Sequence, residues 1–188
     1  MSTRAQQKEK TRRKLYKLAL DAIRRDGLAR ASIDDIARAG RVSRGTFSFH
    51  FPGKEDVLAE LLAESKQRLA EAVLRLPPRT TLRKIVEAAC EAMAETWKDE
   101  PRLFLEVGML GLRRAGEQID TMENDAARRA LAERFAALDL SQGLPPELLA
   151  DIFLLQTLAA GMAWTVRPEM SLQAMLMAVA TLFLEGVE

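Results

Sequence analysis

The stretch Ser32–Leu58, SIDDIARAGRVSRGTFSFHFPGKEDVL, contains two short segments with helical periodicity and a short turn between them. Ser32 is suited to cap the first segment, which Gly40 ends, and Ser43 is suited to cap the second, which Pro52-Gly53 ends. Two short helices joined by such a turn form a helix-turn-helix, whose second helix enters the major groove of DNA. The second segment is therefore predicted to be a recognition helix.

The hydrophobic pattern of the flanking sequence predicts helices throughout. An amino-terminal helix, preceded by a flexible arm over residues 1–10, is expected to end at Gly27 because its apolar residues recur at helical spacing. No segment alternates with a period of two, so the predicted fold class is all-α with about nine helices. Beyond Gly53 the pattern predicts helices over residues 54–76, 81–98, 101–115 and 117–138, from the break at 143–146 to 166, and over 170–185.

The composition limits the kinds of catalytic and metal site that the chain can form. The chain has 188 residues, of which 48% are apolar, so one or two domains with a buried core are expected. The single cysteine, Cys90, cannot form an internal disulfide, and with the single histidine, His50, it cannot complete a Cys/His zinc site. We therefore expect no enzyme, no catalytic residue, no metal and no cofactor. No cleavable secretion signal is visible, so the reducing cytoplasm is the expected compartment.

Charge is distributed unevenly along the chain. Residues 1–55 contain 14 Lys and Arg against 6 Asp and Glu, a net charge of +8, whereas residues 56–188 contain 14 against 21, a net charge of −7. A basic amino-terminal part favours a polyanionic partner such as double-stranded DNA. The alternative is a charge that varies along the surface without functional meaning. The same two interpretations apply to the basic residues of the first helix, Arg12, Arg13, Lys14 and Lys17.

The runs SIDDIA at 32–37, VSRGTF at 42–47 and FHFPGKEDVL at 49–58 resemble the DNA-binding domain of TetR-family transcriptional regulators. The resemblance implies a helix-turn-helix DNA-binding domain with its arm over residues 1–54 and a helical regulatory and dimerisation domain over residues 55–188. The DNA-facing residues that it implies, with Lys54 on a phosphate, are Ser32, Ser43, Arg44, Gly45, Thr46, Ser48, Phe49, His50 and Lys54.

Three positions depart from the family pattern. Ser48 and Phe49 stand where the family usually carries a tyrosine, so either a phosphate contact is lost or Phe49 meets a thymine methyl. Arg41 stands where the turn usually has glycine; it either adopts a left-handed conformation at a cost of about 1 kcal/mol, or the turn shifts by one residue to Gly40. Gly53 stands where serine, asparagine or aspartate often caps the fourth helix.

The carboxyl-terminal part ends in two uncharged runs, Ile152–Val166 and Met170–Leu184. Each is shorter than the ~20 residues that span a bilayer, so a helical hairpin without membrane contact is predicted. A helix that is apolar on most sides needs more than one covering surface, which a second copy of the chain would supply; the resemblance implies the same homodimer. A fully buried monomer core is the alternative. The predicted interface region includes Phe153, Ala160, Trp164, Met175, Val179 and Phe183.

Methionine and tryptophan concentrate beyond residue 90, and methionine in particular adapts its shape to bound ligands. The resemblance implies a small effector inside the carboxyl-terminal domain, and the scarcity of polar groups there predicts a largely apolar one. Ordinary core packing is the alternative for each residue. The candidate lining residues are Met93, Trp97, Phe104, Met109, Phe135 and Trp164.

These observations predict a sequence-specific DNA-binding transcriptional regulator. The resemblance favours a ligand-responsive repressor that binds a palindromic operator as a homodimer. The alternative is a constitutive DNA-binding dimer without a small-molecule effector.

Overall fold

The computed structural model describes residues 3–117, 125–138, 143–167 and 169–187. Every regular element within these ranges is a helix, which confirms the predicted all-α fold. The described residues form nine helices: α1 (Arg4–Asp26), α2 (Ile33–Gly40), α3 (Arg44–His50), α4 (Lys54–Leu74), α5 (Leu82–Trp97), α6 (Pro101–Glu117), α7 (Ala126–Ala136), α8 (Pro146–Thr165) and α9 (Leu172–Val187).

Helix α1 begins earlier than its hydrophobic pattern indicates. The Thr3 hydroxyl accepts a hydrogen bond from the Gln6 N–H, and the Gln6 side chain accepts one from the Thr3 N–H, which is a capping box. The helix therefore starts at Arg4, and the prediction of a flexible arm is wrong for residues 4–10.

The start of α7 also differs from the prediction. Asp125 caps this helix by accepting two backbone N–H groups with its carboxylate, and α6 reaches Glu117. The single helix predicted over 117–138 is therefore wrong at its beginning. The rest of that predicted start, residues 118–124, lies outside the described residues.

Residue contacts divide the chain into two compact units, Met1–Leu61 and Leu62–Glu188, and α4 begins in the first and ends in the second. In the first unit, α2 packs against both α1 and α3. Phe47 and Phe51 are fully buried with their ring centroids 5.8 Å apart. Because these two rings anchor one side of α3 in the core, the opposite side of this short helix faces outward.

In the second unit, α8 packs against α6, α7 and α9, and α5 packs against α9. Phe153 of α8 and Phe183 of α9 are buried together, with ring centroids 5.2 Å apart. By length and composition alone, α8 is the one described helix that could cross a membrane. Its face with Phe153 and Trp164 is buried against its neighbours, which is the pattern of a core helix in a folded domain.

Candidate nucleic-acid interface

Two serine caps fix the starts of α2 and α3. The Ser32 hydroxyl accepts the Asp35 N–H at 3.3 Å, and the Ser43 hydroxyl accepts the Thr46 N–H at 3.1 Å. Both caps were predicted from the sequence and are confirmed. The Ser43 and Thr46 hydroxyl oxygens also lie 3.0 Å apart, so part of their hydrogen-bonding capacity is used inside the motif.

The turn between the two helices keeps its usual register. Arg41 adopts the left-handed conformation, with φ 58° and ψ 43°, so the first of the two predicted arrangements is correct. Gly40 is the last residue of α2, and a Cβ there would lie only 2.7 Å from Cδ2 of Leu15. Gly40 therefore allows α2 to approach α1, while Arg41 carries the strained backbone.

The outward side of α3 carries most of the predicted DNA-facing residues. Phe47 is buried, whereas Arg44, Gly45, Ser48 and Phe49 are exposed. Phe49 is 69% exposed, whereas large aromatic side chains are usually at least partly buried. This side of α3 therefore presents hydrogen-bond donors next to an apolar surface, which are the two kinds of group that read base edges in the major groove.

Gly45 leaves open space on this surface. A Cβ built at this position would meet only the Ser43 hydroxyl, at 3.7 Å, within 4 Å. Nothing in the described unit therefore requires a glycine at this helical position. The absence of a side chain would instead allow a sugar-phosphate backbone to approach α3 closely.

Arg44 is held by a residue of α2. Its Nη1 donates to both carboxylate oxygens of Asp34, at 3.2 and 3.1 Å. The two side chains are 65% and 56% exposed, so the pair stands in solvent on the candidate DNA-facing side.

His50 lies half-buried at the end of α3, against α1. Its backbone carbonyl accepts a hydrogen bond from Arg12 Nη1 at 2.8 Å, and the Arg12 guanidinium also pairs with Glu60 and stacks over the Phe51 ring at 4.3 Å. Burial, followed by the positive charges of Lys8 and Arg12, lowers the pKa of His50. The lowered pKa favours the neutral imidazole, and the contacts of Arg12 join α1, α3 and α4.

Lys54 contacts protein carbonyls. Its Nζ donates to the carbonyl oxygens of Leu28, Ala29 and Ala31 at 2.6, 3.3 and 2.9 Å. These three acceptors match the three donors of an ammonium group, so Lys54 closes the loop between α1 and α2. The expected phosphate contact of Lys54 therefore competes with an internal role that the sequence did not indicate.

The basic residues of α1 fall into two groups. The Lys14 Nζ donates to the carbonyl oxygen of Gly40 at 2.8 Å, and Lys8 lies over the exposed Phe49 ring at 4.8 Å. Lys10 and Lys17 are exposed on the same helix. Lys14 and Lys8 therefore contact residues of the motif, whereas Lys10 and Lys17 add positive charge to the exposed surface of α1.

The six predicted effector-lining residues lie in different surroundings. Trp97, Phe104 and Trp164 come together, with Phe104 at the centre and centroid distances of 5.5 and 6.2 Å to the two tryptophans. Met93 is half-buried on α5, and Met109 is 57% exposed on α6. Phe135 lies in another cluster, stacked on Phe183 at 6.1 Å.

An open cleft of about 670 Å³ lies beside this aromatic cluster. Trp164 is the one predicted effector-lining residue on its wall. Three carboxylates also line the cleft, Glu91, Glu95 and Glu169, and Lys98 pairs with Glu95 at 3.0 Å. The cleft thus combines an indole edge with net negative charge, which suits a ligand with an apolar body and a cationic group.

Four of the six residues named for the predicted dimer-interface region, Phe153, Ala160, Trp164 and Phe183, are buried within the chain itself. A second copy would therefore contact the exposed residues beside them, and the interface region stays a prediction. Met175 and Val179 remain half-exposed on α9.

A different set of residues on the same two helices is open to solvent. We call this set the outer stripe; its members are exposed or half-exposed apolar side chains at helical spacing. Leu155 on α8 and Leu182 on α9 are 58% and 66% exposed. Exposed apolar side chains that recur at helical spacing are typical of a helix face that packs against a partner. The outer stripe comprises Leu148, Ile152, Leu155 and Ala159 on α8, Val166 directly after α8, and Ala174, Ala178 and Leu182 on α9.

Among the residues that the structure describes, candidate metal ligands do not cluster and the single thiol is buried. No group of three or more His, Cys, Asp or Glu side chains in the described ranges is arranged to hold a metal ion. Cys90 is buried, and burial raises its pKa to about 12, with smaller contributions from Glu87 and Glu91. The thiol therefore stays protonated and unreactive near neutral pH.

Comparison with known proteins agrees with this geometry. Residues 15–61 match the family described as bacterial regulatory proteins, tetR family. The chain is 35% identical over 91 residues to the HTH-type transcriptional regulator SrpR of Pseudomonas putida. That match covers 48% of this chain and 41% of SrpR, so the chain spans less than half the length of this relative.

Solved structures share the fold over nearly the whole chain. FadR of Thermus thermophilus, a TetR-family transcriptional repressor in complex with lauroyl-CoA, matches with a TM-score of 0.71 and 23% identity, over 93% of this chain and 94% of FadR. A SmeT–triclosan complex matches with a TM-score of 0.69 and 20% identity, over 95% and 91%. SmeT is the repressor of the Stenotrophomonas maltophilia multidrug efflux pump SmeDEF. At these identities the similarity shows the fold.

An amino-terminal helix-turn-helix with an exposed recognition helix, followed by a helical second unit, defines a two-unit helix-turn-helix protein. Within that class, the match over residues 15–61 and the similarity to SrpR indicate one family for the amino-terminal domain. Residues 15–61 belong to the DNA-binding domain of the TetR family of transcriptional regulators.

Proposed function

We propose that the protein is a repressor that binds a palindromic operator as a homodimer in the cytoplasm and releases it when a small effector binds. The observation that carries the DNA-binding part is the outward side of α3, where Arg44, Ser48 and Phe49 are exposed while Phe47 is buried. Arg44 can donate two hydrogen bonds to guanine, and Phe49 can contact a thymine methyl. One such helix reads few base pairs, so two copies are needed for tight specificity.

Selection of bound fragments from genomic DNA tests this function. The fragments should share an inverted repeat whose half-sites are separated by whole turns of the duplex. Arg44→Ala should weaken operator binding by ~1–3 kcal/mol and relax the preference at one base pair. Arg68→Ala removes an equal charge from an exposed position on α4 and should leave that preference unchanged. Fragments without a shared repeat would contradict the proposal.

The second copy is proposed to cover the outer stripe. Two pairs of antiparallel helices related by a two-fold axis would form a four-helix bundle there. Leu155→Glu or Leu182→Glu should therefore convert the dimer into monomers in sedimentation velocity at micromolar concentration. Leu112→Glu changes a comparably exposed leucine of α6, and this variant should remain dimeric. A monomeric wild-type chain would contradict the proposed dimer.

The effector is proposed to bind in the cleft beside Trp164. The ligands of FadR and SmeT, lauroyl-CoA and triclosan, support an effector with an apolar body. The carboxylates of Glu91, Glu95 and Glu169 favour a positive group on it. Because α4 begins in the first unit and ends in the second, a shift of its carboxyl-terminal half would be passed along the chain to the DNA-binding unit.

A matched pair of ions tests the effector site. Tetraphenylphosphonium and tetraphenylborate have nearly the same shape and opposite charge, so the first should raise the Tm and release operator DNA at lower concentration than the second. Glu91→Gln with Glu169→Gln should reduce this difference. Glu133→Gln, on the exposed side of α7, should not.

One observation favours a constitutive DNA-binding dimer without an effector. The interior next to the cleft is closely packed, since a Cβ on Gly161 would lie 2.1 Å from Cζ of Phe104. If triclosan, lauroyl-CoA and both tetraphenyl ions all fail to shift the Tm or release DNA, this alternative is preferred.

A further inference from the structure

We propose that Asp34 is a positioning residue that directs Arg44 toward one base pair of the operator. The inference rests on the proposed function of sequence-specific DNA binding. Asp34 lies in the first turn of α2, and Arg44 is the first residue of α3. The ion pair therefore connects the two helices of the motif at the side where α3 starts.

The geometry of the pair leaves half of the guanidinium open. Both carboxylate oxygens of Asp34 contact the same nitrogen, Nη1 of Arg44, at 3.2 and 3.1 Å. Within the residues that the structure describes, Nε and Nη2 of Arg44 make no hydrogen bond. These two nitrogens form the parallel pair of donors that matches O6 and N7 of guanine. Asp34 thus holds Nη1 of the guanidinium, while Nε and Nη2 remain available to a base.

Stability does not explain this pair. Both side chains are more than half exposed, at 65% and 56%, and ion pairs in such surroundings contribute little to folding. The carboxylate also places negative charge next to a surface that would meet phosphates, which weakens binding to DNA of any sequence. The ion pair instead restricts the motion of the Arg44 side chain. An arginine already held at one nitrogen loses less conformational freedom when it binds a base.

Asp35 provides a matched control in the next position of the chain. It lies in the same first turn of α2 and is exposed to a similar extent, 64%. Its partner is Arg38 of the same helix, at 2.6 Å. Asp34→Ala and Asp35→Ala therefore remove the same charge from the same surface, and only the first releases a residue of the recognition helix.

The experiment measures base preference in four variants of the full chain: Asp34→Ala, Asp35→Ala, Arg44→Ala and the double variant Asp34→Ala/Arg44→Ala. Each binds a library of operators with single base-pair changes and a random duplex of equal length. Both aspartate variants should bind the random duplex more tightly than the wild type. At the base pair read by Arg44, Asp34→Ala should also lower the preference for the correct base over the others by about fivefold or more. This factor is the lower end of the discrimination that one arginine–guanine pair supplies. Asp35→Ala should stay within about twofold there.

The double variant shows whether Asp34 changes base preference through Arg44. If Asp34 acts through Arg44, its removal changes base preference no further once Arg44 is alanine. Equal base preferences in Asp34→Ala and Asp35→Ala would overturn the inference and leave a pure charge effect, as would a change at a base pair that Arg44→Ala does not affect. A wild-type chain that selects no sequence would instead overturn the proposed function itself.

Discussion

The Nζ of Lys54 lies 2.6 Å from the carbonyl oxygen of Leu28, so the first residue of α4 is joined to the loop that ends α1. Two more carbonyl oxygens of that loop, on Ala29 and Ala31, accept from the same ammonium group. The loop leads directly into α2, which packs on α3. The position of the recognition helix therefore depends on an internal contact of a lysine that resembles a phosphate-binding residue.

Lys54→Met tests this role, because it keeps most of the apolar stem and removes the three donors. We expect the free energy of unfolding, measured by urea denaturation, to fall by about 1–3 kcal/mol, since the hydrogen bonds from a charged group to three carbonyl oxygens are lost. Lys17→Met removes the same charge from an exposed position on α1 and should change stability by less than about 0.5 kcal/mol. If both variants are equally stable and Lys54→Met alone flattens the salt dependence of DNA binding, the phosphate role is correct instead.

In the first unit, the contacts that the sequence predicts join residues close together in the chain. The contacts that it does not predict join residues far apart. Ser32 and Ser43 cap helices through N–H groups three residues away, so local sequence reveals them. Lys54 and Arg12 bind backbone carbonyls 26 and 38 residues away. Every residue type has such a carbonyl, so no sequence pattern identifies these partners.

The carboxyl-terminal helices show a different limit. Composition correctly identified α8 and α9 as apolar, but a helix that is apolar on nearly all sides carries little information about which side is buried. Phe153 is fully buried whereas Leu155, two positions later, is 58% exposed. The neighbours α6, α7 and α9 decide this orientation, and their placement is a property of the whole unit.

Arg41→Gly should stabilise the protein. Arg41 is the only non-glycine residue with positive φ among the described residues, and glycine adopts this conformation without steric strain. We expect a gain of about 1 kcal/mol in the free energy of unfolding, measured by urea denaturation. Ala39→Gly, two residues earlier inside α2, should show the opposite sign by about 0.5–1 kcal/mol. A loss of stability in both variants would show that the Arg41 side chain contributes more than its backbone strain.

Gly45→Ala should separate stability from DNA binding. The free protein has room for the added methyl group, and alanine favours a helix over glycine, so stability should hold or rise by up to about 1 kcal/mol. Operator affinity, measured by fluorescence anisotropy, should nevertheless fall by tenfold or more, because the methyl group would meet the DNA backbone. Gly186→Ala, also in open space but on α9, should leave the affinity unchanged. An unchanged affinity for Gly45→Ala would mean that α3 does not approach DNA at this residue.

His50 should make the stability of the protein depend on pH. Burial and the charges of Lys8 and Arg12 lower its pKa in the folded state, so below the ordinary value near 6.5 the unfolded chain binds more protons than the folded one. The free energy of unfolding should therefore fall as the pH drops below about 6.5 and level off once the folded imidazole is also protonated. Because His50 is the single histidine, His50→Gln should show a flatter profile between pH 7.5 and 5.5 in urea denaturation. Parallel profiles of wild type and His50→Gln would contradict the lowered pKa.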